Sequence, residues 1–299
     1  MPIVLAGMAA TTFGVADFLG GTAARRVPAA VVAMLAQLSG MLLLLALLVL
    51  LPATAQPTSL GWGALAGLAG GVGVPLLYRA LAVGPMNVVA PLTALTSAGV
   101  PVLVGALLGE RPSVLAWVGI ALAVTAGVVV GVSVQAPDSL TELDTDATAA
   151  EGGGDRRVGA LRGVLLALFS GLCFGGFFAL IAQARPEAGL WPVVTARVAG
   201  SLVAGAALLW MLRAGGVTLS PGGRGWRLAA FGGALDALAN AFFLLATQHG
   251  QLAVVGAIVA LYPASTVLLA RVLHGERIGR VQCVGLALAV PALVLVSGG

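Results

Sequence analysis

Lysine is absent from this chain; all 15 basic residues are arginine. Charge of either sign is scarce, with 9% charged residues against 60% apolar ones, where a soluble domain carries about 25% charged residues. So little charge cannot cover a water-facing surface. Composition therefore excludes a soluble domain and implies an integral membrane protein. Histidine and cysteine number two each. Cys173 and Cys283 sit inside apolar runs, which predicts two small buried apolar side chains rather than a disulfide or a metal site. His249 and His274 lie near run ends, without the Cys, His or carboxylate spacing of a zinc site. The sequence has no nucleophile with a positioned base and no phosphate-cradling loop. Gly70-Gly71-Val72-Gly73 falls mid-run and reads as helix packing. No enzyme activity, cofactor or metal is expected. Nor does the isoelectric point near 10.0 imply a nucleic-acid partner, because no basic patch is interleaved with aromatics. Arginines at helix ends face lipid phosphates and set orientation.

Long apolar runs are abundant instead. A spanning helix needs about 20 mostly apolar residues, and ten candidates meet that at 3–21, 28–52, 61–82, 87–108, 113–134, 158–183, 191–212, 227–248, 251–273 and 280–297. The first basic residue, Arg25, follows the first run rather than preceding it, so that run is expected to be a retained helix and not a cleaved signal. Gly63, Gly67, Gly70 and Gly71 recur at helical spacing, as small residues do where helices pack closely in lipid. One stretch differs. Residues 135–157 hold six of the eleven acids, Asp138 to Asp155, and the triplet Gly152-Gly153-Gly154. This acidic segment is expected to be a solvated flexible linker between a first five-helix repeat, 1–134, and a second, 158–299.

The chain carries an internal repeat. Shifted by 166 residues, Ala80–Val132 falls on Ala246–Gly298 without a gap, with 21 identities in 53 positions. Among them are Gly109-Glu110-Arg111 and its echo Gly275-Glu276-Arg277. Five is an odd number of crossings, so the second copy enters the membrane from the opposite side. The predicted fold is thus all-α integral membrane, ten transmembrane helices as two inverted five-helix repeats. That architecture places a solute site near the midplane. The two Gly-Glu-Arg copies then fall on opposite faces, where each is expected to close a local turn. Arginine sets the orientation: twelve lie on the side of the odd-numbered loops and two, Arg111 and Arg185, on the other. The bias places the odd loops in the cytoplasm and both termini outside.

These residues resemble a ten-helix member of the drug/metabolite transporter superfamily, EamA-like branch. The likeness rests on Leu108-Gly109-Glu110-Arg111 and His274-Gly275-Glu276-Arg277, on Tyr78-Arg79-Ala80-Leu81-Ala82-Val83-Gly84-Pro85, and on Leu261-Tyr262-Pro263-Ala264. Gly14-Val15-Ala16-Asp17-Phe18-Leu19-Gly20-Gly21 resembles one subgroup. The resemblance implies export or uptake of a small metabolite or drug-like solute, an amino acid among the candidates, by alternating access; export is the expected direction, and a proton the candidate coupling ion. It also implies termini in the cytoplasm, opposite to the arginine bias. Arginine-only usage with excess Ala and Gly suggests a GC-rich bacterium and its plasma (inner) membrane. Membrane lipids and a small-molecule substrate are the expected partners, and the unit is a monomer or homodimer. The alternative class is a non-transporting scaffold or lipid-embedded enzyme.

Ionisable groups inside spans are costly and mark function by default. Four stand out: Asp17, Arg79, Arg197 and Asp236. Asp17 and Arg79 lie about one helical turn from span ends on one side and could pair, as a structural ion pair or as a gate. Asp236 and Asn240, four residues apart, share a face of the eighth helix, about 13 and about 20 Å from its entry at 1.5 Å per residue. Arg197 is near mid-depth and could reach them, either as a brace or as part of a substrate or proton site. Gln37 matches Arg197 in the repeat and could line the same cavity or make an interhelical hydrogen bond. Tyr262, mid-helix before Pro263, is a candidate pocket wall. Tyr78 and Trp191 lie near span ends, where aromatic belts are the simpler expectation. Pro91, Pro101, Pro263 and Pro291 interrupt spans, and such breaks can free backbone groups for ligands.

Overall fold

The structure, a computed structural model, describes residues 1–83, 86–134, 153–215, 222–274 and 279–298. The described residues form eleven α-helices and their connectors, without strands: α1 Pro2–Ala24, α2 Ala29–Leu50, α3 Pro57–Val83, α4 Met86–Leu107, α5 Val114–Val134, α6 Gly153–Ile181, α7 Trp191–Arg213, α8 Arg224–His249, α9 Leu252–Val259, α10 Tyr262–His274 and α11 Arg280–Gly298. Helices are the element expected here, because lipid offers no partners for backbone polar groups and a helix satisfies them within itself. Eight segments are long and apolar enough to cross a membrane, the α9–α10 pair counting as one; α4 and α5 carry shorter apolar stretches, Pro91–Leu107 and Val114–Val130. Together they make ten spans.

Two expected elements differ. The ninth span breaks after Val259, and α10 restarts at Tyr262. Pro263 explains the break: it has no N–H to donate and its ring crowds the preceding turn. Pro75, Pro91, Pro101 and Pro291, by contrast, sit inside continuous helices. The predicted linker also ends early. Residues 153–157 already belong to α6. The remainder of that linker, 135–152, lies outside the described residues, as does the echo at 275–277.

The helices pair across the two halves. α1 packs chiefly on α8, and α3 on α6 and α7; α2 packs on α7 and α8, α4 on α6, and α5 on α11. Exchanging the first five spans with the last five maps this pattern onto itself: α1 on α8 becomes α6 on α3, and α2 on α8 becomes α7 on α3. Hydroxyls follow the same rule. Thr93 Oγ1 on α4 donates to Ala167 O on α6 at 3.2 Å, and Thr266 Oγ1 on α10 donates to Gly14 O on α1 at 3.2 Å. Glycines permit the close approaches. A Cβ on Gly67 would overlap the carbonyl oxygen of Ala196, so α3 and α7 touch backbone to backbone there, which is how helices gain dispersion contact in lipid.

Connector contacts sort the two faces. On the face where α1 begins and α11 ends, a Cβ at Gly250 would lie 2.6 Å from Pro2 Cβ. Thr54 N donates to Glu187 O at 3.2 Å on the same face, and Trp191 Nε1 donates to Ala53 O at 3.1 Å. Trp191 therefore ties two connectors together at a span end. On the opposite face a Cβ at Gly225 would lie 2.6 Å from Val27 Cγ2. The alternation agrees with ten crossings. Leu42, Leu103, Leu202 and Trp210 project outward as a lipid-facing surface. Cys283 corrects its expected burial: it is exposed on that surface, while Cys173 is half-buried, and both are free. Apolar runs give no contrast between core-facing and lipid-facing positions, which is why the sequence pattern misplaced it.

Candidate functional site

Four of the expected site residues converge between α2, α7 and α8. Arg197 on α7 is buried. Its Nη2 donates to Asp236 Oδ2 on α8 as a salt bridge, and its Nη1 donates to Gln37 Oε1 on α2 at 3.1 Å. Asn240 lies one turn beyond Asp236; its Nδ2 donates to Asp236 O at 2.8 Å and, at 3.4 Å, to Asp236 Oδ2. The close packing comes from small residues. A Cβ at Gly40 would lie 2.9 Å from Ala237 Cβ and 3.4 Å from Arg197 Cζ. Asp236 is twelve residues into α8, about 18 Å along a helix of about 39 Å at 1.5 Å per residue, so the cluster is at mid-depth.

The cluster is incompletely satisfied. Asn240 is only 4% exposed, and its Oδ1 is buried without a hydrogen-bond partner among the described residues. An unmade bond of this kind costs about 1–3 kcal/mol, which a ligand donor or a water would recover. Asp236 keeps 34% of its side chain accessible, so one side of the ion pair remains open.

Asp17 and Tyr262 complete the arrangement from α1 and α10. The carboxylate of Asp17 is within electrostatic reach of both Asp236 and Tyr262. Asp17 is accessible, yet it lies deep among protein atoms. Phe13, one turn back on α1, stacks edge-on against Tyr262 with ring centroids 6.3 Å apart, and against Phe178 at 5.8 Å; Phe178 meets Phe243 at 4.7 Å. Tyr262 is 36% exposed. Beyond these rings opens a cleft of about 630 Å³, its open mouth included, whose walls include Ser97, Pro101, Gly127, Phe178, Phe243 and Tyr262. Tyr262 thus lines the apolar cleft and is within electrostatic reach of Asp17.

One expected pairing is not made. Asp17 forms no ion pair with Arg79, which is exposed on α3. The reason is the helix pairing: α1 lies against α8, whereas α3 lies against α6 and α7. The side chain of Tyr78 lies outside those described. Gly109-Glu110-Arg111 closes its local turn, with Gly109 at φ 88° and Glu110 N–H donating to Gly105 O at 3.0 Å, and it has a second role that the sequence did not suggest. Glu110 reaches across to the second half, where Leu252 N–H donates to its Oε1 at 2.6 Å and Ala253 N–H to its Oε2 at 2.9 Å. The carboxylate caps α9, satisfying two otherwise free amides at the positive end of that helix. The sequence reading passed over the Phe13, Phe178 and Phe243 rings, which are apolar side chains within apolar runs. Among the described residues no group of three or more His, Cys, Asp or Glu is placed to hold a metal ion.

Comparison with known proteins agrees with this geometry. No curated protein matches the sequence. A solved structure described only as "Crystal structure of protein" superposes with a TM-score of 0.72 at 17% identity, covering 99% of this chain and 96% of its own; the likeness is one of fold. The model of the EamA-like transporter family matches residues 1–132 and 161–298, leaving out only the acidic segment and its borders. By the extent of that match, the chain belongs to the EamA-like transporter family and is a multi-pass membrane transporter.

Proposed function

We propose that this chain is a secondary carrier moving a small metabolite or drug-like solute by alternating access. Its two moving halves are the two five-helix repeats, joined through the acidic segment. The observation that carries this reading is the mid-depth Arg197–Asp236 pair, which is tied to the first half through Gln37 and keeps 34% of the Asp236 side chain accessible. Buried intramembrane charge is expensive and is retained where it acts. Asp236, Asn240, Arg197, Gln37, Asp17 and Tyr262 form the solute and coupling site; Arg79 stands apart from it.

The pair suits a proton-coupled cycle. A carboxylate that loses its guanidinium partner in a dry site takes up a proton, and it releases the proton when water or the guanidinium returns. An accessible carboxylate in such a pair gives proton and solute a shared place to compete. Such competition drives export when protons enter, the expected direction, in a bacterial plasma membrane. The ties on the α1-start face, Glu110 to α9 and Trp191 to Ala53, cross between the halves and break when that face opens. Metabolite profiles inside and outside cells with and without the chain test this. A specific solute changing compartment supports the carrier; identical profiles across growth conditions contradict it.

A further inference from the structure

The break in the ninth span strips two carbonyls of their helical donors. Pro263 has no N–H to give Val259 O. Ala264 N–H donates to Leu261 O at 2.9 Å rather than to Ala260 O. Ala260 lies about 12 Å along the span from Leu252 at 1.5 Å per residue, so the break is near mid-depth. Irregular backbone is tolerated there where it is buried in protein or lines a cavity. Val259 and Ala260 both stand in the wall of the cleft. The Ala260 carbonyl is aimed at α5, where a Cβ on Gly127, another wall residue, would overlap it. Ser97, on the α4 side, spends its hydroxyl hydrogen on Ala94 O at 3.0 Å and so offers the cleft an acceptor. Among the described residues the walls carry no charged side chain. The cleft therefore presents acceptors on an apolar, aromatic background. An anion would meet those acceptors with only the Tyr262 hydroxyl to donate. A cation would give up its water with no carboxylate in the wall to replace it. A neutral ligand without a donor would leave the freed carbonyls unmet, which is costly.

Resting on the carrier reading above, we propose that the cleft binds an uncharged, ring-bearing solute that donates hydrogen bonds: its ring packs against Phe178, Phe243 and Tyr262, and its N–H or O–H groups meet Val259 O and Ala260 O at the helix break. Aromatic walls favour a ring through offset and edge-on contacts, and the freed carbonyls select for the donor. Tyr262 belongs to both the cleft and the solute site described above, so the cleft extends that site rather than adding a second one.

Four matched probes test this on the full chain in phosphatidylcholine nanodiscs, by equilibrium dialysis with empty discs as the baseline. They are 3-phenylpropanamide, N,N-dimethyl-3-phenylpropanamide, 3-phenylpropanoate and 3-phenylpropylammonium, which share a ring. The first two are neutral and differ in the amide hydrogens. The primary amide binds about fivefold tighter than the dimethyl amide, the worth of one hydrogen bond, and tighter than either ion. Pro263→Ala restores an N–H that can meet Val259 O, so it lowers the affinity for the primary amide and leaves the dimethyl amide unchanged. Ala98→Leu, in the cleft wall, narrows the space and weakens both amides; it keeps the test open if the Pro263 variant fails to fold. Equal binding of the two amides, as for a cleft filled by a lipid chain, overturns the proposal. So does tighter binding of either ion, a primary-amide preference that persists in folded Pro263→Ala, or amide binding unchanged in Ala98→Leu. The carrier reading survives each of these results. Conversely, donor-dependent binding that Pro263→Ala abolishes, with no solute moved in any transport assay, retains this site and removes the carrier reading.

Discussion

Arg197 and Asp236 hold each other across the α7–α8 contact at mid-depth, and Gln37 from the first half accepts the second guanidinium nitrogen. The pair comes from two adjacent helices of one repeat, while its third member comes from the other. Any motion of one half against the other must therefore stretch or exchange the Arg197–Gln37 bond.

Removing one partner should cost more than removing both. Arg197→Ala strands Asp236 and is expected to destabilise the fold by about 2–3 kcal/mol, below the 3–5 of a fully buried pair because Asp236 is 34% exposed. The double variant Arg197→Ala, Asp236→Ala recovers part of that loss. Thermal unfolding of the four proteins in one detergent, closed as a double-mutant cycle, checks it. Additive losses would remove the coupling.

Glu110→Ala should cost about 1 kcal/mol, the usual worth of a helix cap. It should also loosen the face on which α4–α5 meets α9. On a Cys173→Ser, Cys283→Ser background, a cysteine at Gln251 should react several-fold faster with a membrane-impermeant maleimide once Glu110 is Ala. Unchanged labelling would reduce Glu110 to a local cap.

Most of the architecture was legible in the sequence because lipid imposes one simple rule, a helix of about 20 apolar residues per crossing. The Arg197–Asp236–Asn240 group was legible for a related reason: a polar residue in an apolar run stands out. The Glu110 cap was not, since it joins residues 142 apart and nothing in a Gly-Glu-Arg triplet says whose amides it will meet. Asp17 was legible as a candidate but not in its surroundings. Depth along a helix can be counted, whereas the choice of neighbouring helix depends on which small residues pack, and those recur on every span. The aromatic wall was hidden because Phe13, Phe178 and Phe243 are apolar side chains in apolar helices.

Two glycines separate packing from propensity. A Cβ on Gly127 would overlap the carbonyl oxygen of Ala260 at the break between α9 and α10, whereas one on Gly99 meets nothing within 4 Å. Gly127→Ala is expected to destabilise by about 1–3 kcal/mol through overpacking. Gly99→Ala should be neutral or stabilising by up to about 1 kcal/mol, since Ala is the better helix former. Melting temperatures of the two variants decide it, and equal effects would contradict the tight α5–α9 approach.

The most direct test of the coupling role is transport by Asp236→Asn, which removes the charge and keeps the shape. Proteoliposomes holding equal amounts of folded wild-type or variant protein are given a proton gradient and the solute identified by metabolite profiling, and solute movement is followed with time. Gradient-driven transport by the wild type and none by Asp236→Asn is the predicted result. Transport by Asp236→Asn at the wild-type rate and with the same dependence on the gradient would contradict the account.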